Sequence, residues 1–289
     1  MEEPFATGCN KTLRERMIPN KLKTKWQNGA PTVNGWLSIG NAFTAEIMAE
    51  QGFDSLTIDL QHGFLDYSDA KPMLQALRAS GVTPLARVPW LDPGIIMKML
   101  DGGAYGIICP MVNRPEQAVQ LVEAMRYPPL GSRSFGPTRA KISSGGGNYA
   151  SEANETVLAI AMIETAEAVE NVDAICQTPG LDGIYIGPAD LTLGVSNGAL
   201  PPGFDRSEPE MVAVIKKILA AAKAAGIRAG LHCGTAEYAA KAVGWGFDMV
   251  TMSGDVAFLS GAAASNVRAV RSLLGQSTDP ETPNSSGGY

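Results

Sequence analysis

Eight short apolar runs recur along the chain, with segments of helical periodicity between them: 35–39 (GWLSI), 55–60 (SLTIDL), 84–88 (PLARV), 106–111 (GIICPM), 157–163 (VLAIAMI), 183–187 (GIYIG), 228–233 (RAGLHC) and 248–253 (DMVTMS). Most are continuous rather than alternating, as strands covered on both faces by helices read. Helix starts are marked by Ser68-Asp69 before AKPMLQALRAS and by Asp92-Pro93 before GIIMKMLDGG; Gly81 and Gly226 stand where helices should stop. Eight βα units in 289 residues predict an α/β fold of the (β/α)8 TIM-barrel type. For an open doubly wound sheet eight strands would be many, and a Gly-rich dinucleotide turn would be expected.

Three segments fall outside the repeat. Residues 20–28 read as a helix closing the bottom of the barrel, behind a flexible N-terminus over 1–18. The stretch 127–154 is long and rich in Gly, Ser and Pro, the composition of a functional or mobile loop. The barrel domain is expected over 19–275, followed by a disordered tail over 276–289.

Composition narrows the partners. Hydrophobic residues make up 45% and charged ones 18%, enough apolar material for a sizeable core. The net charge of -6 repels phosphate backbones, which argues against nucleic acid. No apolar run approaches the roughly 18 residues of a membrane span, and the first residues lack signal-peptide character, so a cytoplasmic, soluble protein is expected. Cys9, Cys109, Cys176 and Cys233 are scattered without a C-x-x-C pair and read as free thiols, with Cys109 and Cys233 in apolar runs as packing residues.

In such a barrel the active site lies where the strands end, which sorts the polar residues. Asp59 and His62 close the second run, Arg87 sits in the third, Glu164 follows the fifth and Asp190 the sixth. Asp59 and His62 form either an acid/base unit or a surface polar cluster. Arg87 needs a partner or a ligand because burying its charge alone is costly, so it is either a structural ion pair or an anion-recognition group. Glu164 and Asp190 suit a shared divalent cation such as Mg²⁺ or Mn²⁺, or serve as first-turn helix acids. A closed zinc site is disfavoured with only two histidines, and His232 reads as a hydrogen-bonded structural residue.

At these residues the chain resembles the HpcH/HpaI aldolase family of metal-dependent pyruvate aldolases. The segments carrying the likeness are GWLSIGNAFTAEIMAEQGFDSLTIDLQHG, LARVPWLDPGIIMKMLDGGAYGIICPMV, RYPPLGSRSFGPTRA, AMIETAEAVENVDAI and GIYIGPADLTLGVS. The resemblance implies a (β/α)8 barrel in a homo-oligomer, often a hexamer, whose last helices exchange between subunits. It implies Glu164 and Asp190 as ligands of Mg²⁺ or Mn²⁺, with Co²⁺ also accepted. It further implies Arg87 on the pyruvate moiety, His62 with Asp59 as the proton-handling pair, and Gly187, Pro188 and Ala189 beside the substrate. Asp101 matches an acid that reaches a neighbouring active site. Two departures touch the second-substrate pocket: Gln61 stands where relatives carry Glu, and Ser134 follows Arg133 where they carry Gly.

The activity implied is cleavage or formation of 4-hydroxy-2-oxo acids from pyruvate and an aldehyde through a metal-held pyruvate enolate. Alternatives are oxaloacetate decarboxylation of the macrophomate-synthase type, with Tyr149 as a substrate-orienting hydroxyl, and a CoA-ester lyase like the citrate lyase β-subunit. A barrel that only binds a small acid is the non-catalytic alternative.

Overall fold

The computed structural model describes residues 16–276. Eight parallel strands, β1 (Thr32–Leu37), β2 (Ser55–Asp59), β3 (Thr83–Arg87), β4 (Gly106–Cys109), β5 (Leu158–Ile163), β6 (Gly183–Ile186), β7 (Arg228–Cys233) and β8 (Met249–Met252), close in sequence order into a barrel. Each predicted run holds one strand, with ends shifted by up to three residues. The shift is largest at β1, which starts at Thr32 because its ladder with β8 begins there.

Period-two alternation divides every strand between two cores. Outward residues such as Leu37, Ile58, Ala86, Ile107, Ala161 and Ile186 pack under the surrounding helices. Inward residues fill the barrel: Trp36, Leu85, Ile108, Ile160, Met162, Tyr185 and Met249, with Leu22 and Trp26 entering from the helix Lys21–Gln27. That helix plugs the N-terminal end as expected. Asn20 caps it through the Lys23 N–H and ties it to the carbonyls of Tyr105 and Thr156.

The local helix signals hold. Asp66 and Asp69 form a capping box for Tyr67–Ser80, which ends at Gly81 in the left-handed region (φ 77°). Asp92 caps Pro93–Gly102 with proline at its first position. Cys109, Cys176 and Cys233 are buried free thiols, and burial pushes the Cys176 thiol up to about 12, so they pack rather than react. Cys9 lies outside the described residues.

Two expectations need revision. Residues 127–154 are not one loop, because the helices Thr138–Ser143 and Tyr149–Thr156 occupy much of the segment. The whole excursion precedes β5, so it lies at the N-terminal face. Two residues expected within the flexible N-terminus are held in place: Met17 is buried against Tyr105, Tyr127 and Tyr149, and the Ile18 N–H donates to the Ser144 carbonyl. Residues 1–15 and nearly all of the expected tail lie outside the described residues.

Candidate active site

The C-terminal ends of the strands gather the candidate residues through register. Asp59 and Arg87 are direct partners in the β2–β3 ladder, and both side chains point into the barrel. There Arg87 Nε donates to Asp59 Oδ1 at 2.7 Å and Nη2 to Oδ2 at 2.6 Å, a bidentate pair that is almost wholly buried. Trp36 Nε1 adds a bond to Oδ2 at 3.1 Å, and the Trp36 ring lies 4.8 Å from the guanidinium carbon. Burial pushes the Asp59 carboxyl upward, but Arg87, Trp36 and the His62 N–H outweigh it and hold the group below the usual range.

The structure alters the expected Asp59–His62 pairing. Both carboxylate oxygens are engaged with Arg87, and Oδ1 also accepts the backbone N–H groups of Gln61 (3.1 Å) and His62 (3.3 Å). Asp59 therefore orients the guanidinium directly and fixes His62 through its backbone. Gly63 makes this tight exit possible, since a Cβ there would lie 2.2 Å from the Asp59 carbonyl. His62 is exposed at the rim, while Gln61 Oε1 is buried without a hydrogen-bond partner among the described residues.

Glu164 and Asp190 meet Arg87 in one cavity, lined also by Met162, Tyr185, Gly187, Ala189, Phe204 and His232. Glu164 is buried, and its Oε1 accepts the Met111 N–H at 2.8 Å. Met111 adopts φ 56°, a strained backbone for a residue with a side chain, at the point where its N–H meets the carboxylate. Burial above all, with the negative charge of Asp190, pushes the Glu164 carboxyl up to about 7; the Met111 N–H and Arg87 pull the other way. Asp190 lies in the first turn of Pro188–Val195, so it faces the cavity and also sits at the positive end of a helix.

These residues suit a hard divalent cation. Two carboxylates, Glu164 and Asp190, border one small cavity and offer the hard oxygen donors that such a cation takes. Gly187 leaves Glu164 its room, because a Cβ there would sit 2.7 Å from Oε2. Among the described residues no three His, Cys, Asp or Glu side chains cluster as a full cage. A cation held by this pair would keep positions open for substrate and water.

Tyr149 and Asp101 stand elsewhere. Asp101 ends the helix before β4 and Tyr149 begins the helix before β5, so both belong to the N-terminal end of the barrel, away from this cavity. There Arg133 Nη2 donates to Asp101 Oδ1 at 2.7 Å and to the Tyr149 hydroxyl at 3.3 Å. Tyr149, expected as a substrate-orienting hydroxyl, is thus not brought to the cavity of its own chain: the 15 residues before Glu164 include β5 itself, a full barrel length. Trp36, Met111, Tyr185 and Phe204 were not singled out from sequence. Trp36 and Tyr185 carried a usable signal as amphipathic rings in barrel strands, whereas Met111 acts only through its N–H.

Comparison with known proteins agrees with this geometry. The profile of the HpcH/HpaI aldolase/citrate lyase family matches residues 34–260. A hydroxypyruvate/pyruvate aldolase of Rhizorhabdus wittichii is 42% identical over 254 residues, covering 88% of this chain and 100% of that protein. A 2-keto-3-deoxy-L-rhamnonate aldolase of Salmonella gallinarum is 34% identical, covering 91% and 97%. The crystal structure of an HpcH/HpaI aldolase/citrate lyase family protein from Burkholderia cenocepacia superposes with a TM-score of 0.80 at 31% identity, covering 87% of this chain and 99% of that one. With a matched profile spanning most of the barrel and relatives aligned nearly end to end, the chain belongs to the HpcH/HpaI aldolase/citrate lyase family.

Proposed function

We propose that this chain is a divalent-cation-dependent aldolase that cleaves or forms 4-hydroxy-2-oxo acids, with pyruvate or a close 2-oxo acid as the nucleophile and an aldehyde as the partner. The observation that carries the reading is the meeting of Glu164 and Asp190 with the Asp59-clamped Arg87 in one cavity. Glu164 and Asp190 would hold Mg²⁺ or Mn²⁺, with Co²⁺ as a substitute. The cation supplies Lewis-acid stabilisation of negative charge on the 2-oxo acid.

The protein's own groups divide the remaining work. Arg87, fixed by two bonds to Asp59, presents a guanidinium that cannot swing away, so it meets the 2-oxo acid where negative charge develops. Gly187, Pro188 and Ala189 bring the N-terminus of a helix to the same cavity, which favours a carboxylate there. His62 at the rim takes the proton of the 4-hydroxyl in cleavage and returns it in condensation.

The long helix Asp255–Leu273 supports a homo-oligomer. Beyond Asp255 its side chains are largely exposed, including Leu259 (65%), Val270 (55%) and Leu273 (87%). In our reading this helix packs on a neighbouring subunit, in a hexamer or another closed assembly, and Asp101 is offered to a neighbour's site. Among the described residues no helix is long and apolar enough to cross a membrane.

The direct test is release of pyruvate from 4-hydroxy-2-oxo acids of varied chain length, followed before and after chelation. Activity that disappears with the cation and returns with Mg²⁺ or Mn²⁺ supports the reading. Full turnover in stripped protein contradicts it.

A further inference from the structure

A second cavity, of about 150 Å³, lies at the opposite end of the barrel from Arg87, Glu164 and Asp190. Thr83 and Pro84, which open β3, and Tyr105, just before β4, place it at the N-terminal end. Lys21, Arg78 and Arg139 line it, and among the described residues no Asp or Glu does. Nor does any of the three pair with a carboxylate among the described residues.

Closing helices accounts for part of this charge. Lys21 Nζ donates at 2.9 Å to the carbonyl of Gly81, which caps Tyr67–Ser80. Arg139 Nη1 donates to the carbonyl of Gly102, the last residue of Pro93–Gly102, and Arg78 Nε to that of Ser143, the last of Thr138–Ser143. A helix C-terminus carries at most about half a negative charge, so three of them leave about one and a half positive charges unbalanced. Burial above all, then the Arg78 charge, holds the Arg139 guanidinium below its ordinary range, the mark of cations gathered without an anion between them.

The spare donors define the shape of the missing partner. Among the described residues, bonds to protein use only Nε of Arg78, the two Nη groups of Arg139 and one proton of Lys21. Both Nη groups of Arg78, Nε of Arg139 and two protons of Lys21 remain, and they come from three separate segments. Such a set suits a tetrahedral oxyanion, which presents oxygens in several directions, better than a planar carboxylate that one guanidinium fork would satisfy. Gly103 gives Arg139 its place, since a Cβ there would lie 2.7 Å from Nη1. The volume is that of about five water molecules at about 30 Å³ each, room for a phosphate with a short carbon chain. Leu74, Val82 and Pro84 offer such a chain an apolar wall.

We propose that this cavity is a binding site for a phosphate dianion, free or carried on a small ester, held by Lys21, Arg78 and Arg139. The inference is independent of the aldolase reading. Because the three cations belong to Lys21–Gln27, Tyr67–Ser80 and Thr138–Ser143, the bound group also braces the N-terminal end of the barrel.

The test is calorimetric titration of inorganic phosphate into the full-length protein, beside Arg78→Gln and Lys21→Gln. Both side chains are exposed, so these variants should fold as the wild type does. Arg78→Gln is expected to raise Kd about tenfold or more, the worth of one hydrogen bond to a charged group, and Lys21→Gln about threefold or more. Glu164→Gln should bind phosphate as the wild type does, which separates this site from the cavity at the other end. Phosphate should also raise the urea midpoint of the wild type and leave that of an Arg78→Gln/Lys21→Gln double variant nearly unmoved. Glycerol 3-phosphate, titrated in the same way, distinguishes the two sources: tighter binding than phosphate assigns the site to an ester, equal binding to the free anion. No binding of either compound to the wild type at about 10 mM, or the same Kd in the wild type and both single variants, would overturn the proposal. Acetate bound as tightly as phosphate would overturn the choice of a phosphate group.

Discussion

The two ends of the barrel carry nearly the same ingredients. At the C-terminal end Arg87 pairs with Asp59 over the ring of Trp36; at the N-terminal end Arg133 pairs with Asp101 between the rings of Tyr127 and Tyr149. The upper pair is bidentate, built on ladder partners, and borders a cavity with two further carboxylates. The lower Arg133 makes one bond to its aspartate, and among the described residues its Nε and Nη1 and the Tyr127 hydroxyl are buried without partners. The difference teaches that an Arg–Asp–aromatic cluster is not itself a site. Rigid placement beside two further carboxylates in one cavity makes the upper one suited to chemistry.

The largest effect should come from breaking the carboxylate pair. Glu164→Gln or Asp190→Asn is expected to abolish divalent-cation binding by titration calorimetry and to lower the aldol rate by on the order of a thousandfold or more. The same change at the other end, Asp101→Asn, should leave cation binding intact. Loss of binding there would erase the distinction between the ends.

Next come the two ion pairs. Asp59→Ala takes from the buried Arg87 both bonds of its bidentate partner, and should cost about 3–5 kcal/mol in urea unfolding. Asp101→Ala also takes the carboxylate from a buried arginine, but it removes a single bond from a side chain 20% exposed, so it should cost less, about 2–3 kcal/mol. Equal costs would mean that the bidentate register adds nothing.

A smaller effect is expected at Tyr149. Tyr149→Phe removes one 3.3 Å hydrogen bond and should change steady-state turnover by less than about twofold. A loss of about a hundredfold would bring this residue back to an active site, in that case a neighbour's.

Acid titration gives the last contrast. Burial, reinforced by the Arg87 charge, keeps His232 neutral when folded, at about 3, while its unfolded value is the ordinary 6.5. The unfolded chain therefore takes up this proton first, so stability is full above pH 6.5 and falls as pH drops toward 3. The slope is at most about 1.4 kcal/mol per pH unit. His232→Gln should flatten that slope in urea unfolding between pH 6.5 and 4.5, and an unchanged slope would show the ring to be protonated in the folded protein.

Much of this was legible in the sequence, for identifiable reasons. Strands covered on both faces leave apolar runs, so all eight could be counted, and the strand-end rule located Asp59, Arg87, Glu164 and Asp190. The place of Tyr149 was less legible, because a residue before a strand and one after it are close along the chain but lie at opposite ends of a barrel. The bond from Asp59 to Arg87 depended on register, which the sequence does not print. The support of His232, whose Nδ1 is 3.0 Å from a Tyr185 hydroxyl bonded on to Thr251 and through it to Asn34, was hidden for a related reason: Asn34 and Thr251 are 217 residues apart and meet only when β1 and β8 close the barrel. Met111 left no side-chain signal, since its contribution is a backbone N–H.

The central claim, that the Glu164–Asp190–Arg87 cavity labilises a proton on C3 of a 2-oxo acid, is tested most directly without choosing an aldehyde. Pyruvate is incubated with the protein in D2O with Mg²⁺ or Mn²⁺, and its methyl resonance is followed by proton NMR beside chelated and Glu164→Gln samples. The account predicts loss of the methyl signal only when both the cation and Glu164 are present. Exchange that persists at the same rate after chelation, or in Glu164→Gln, would contradict it.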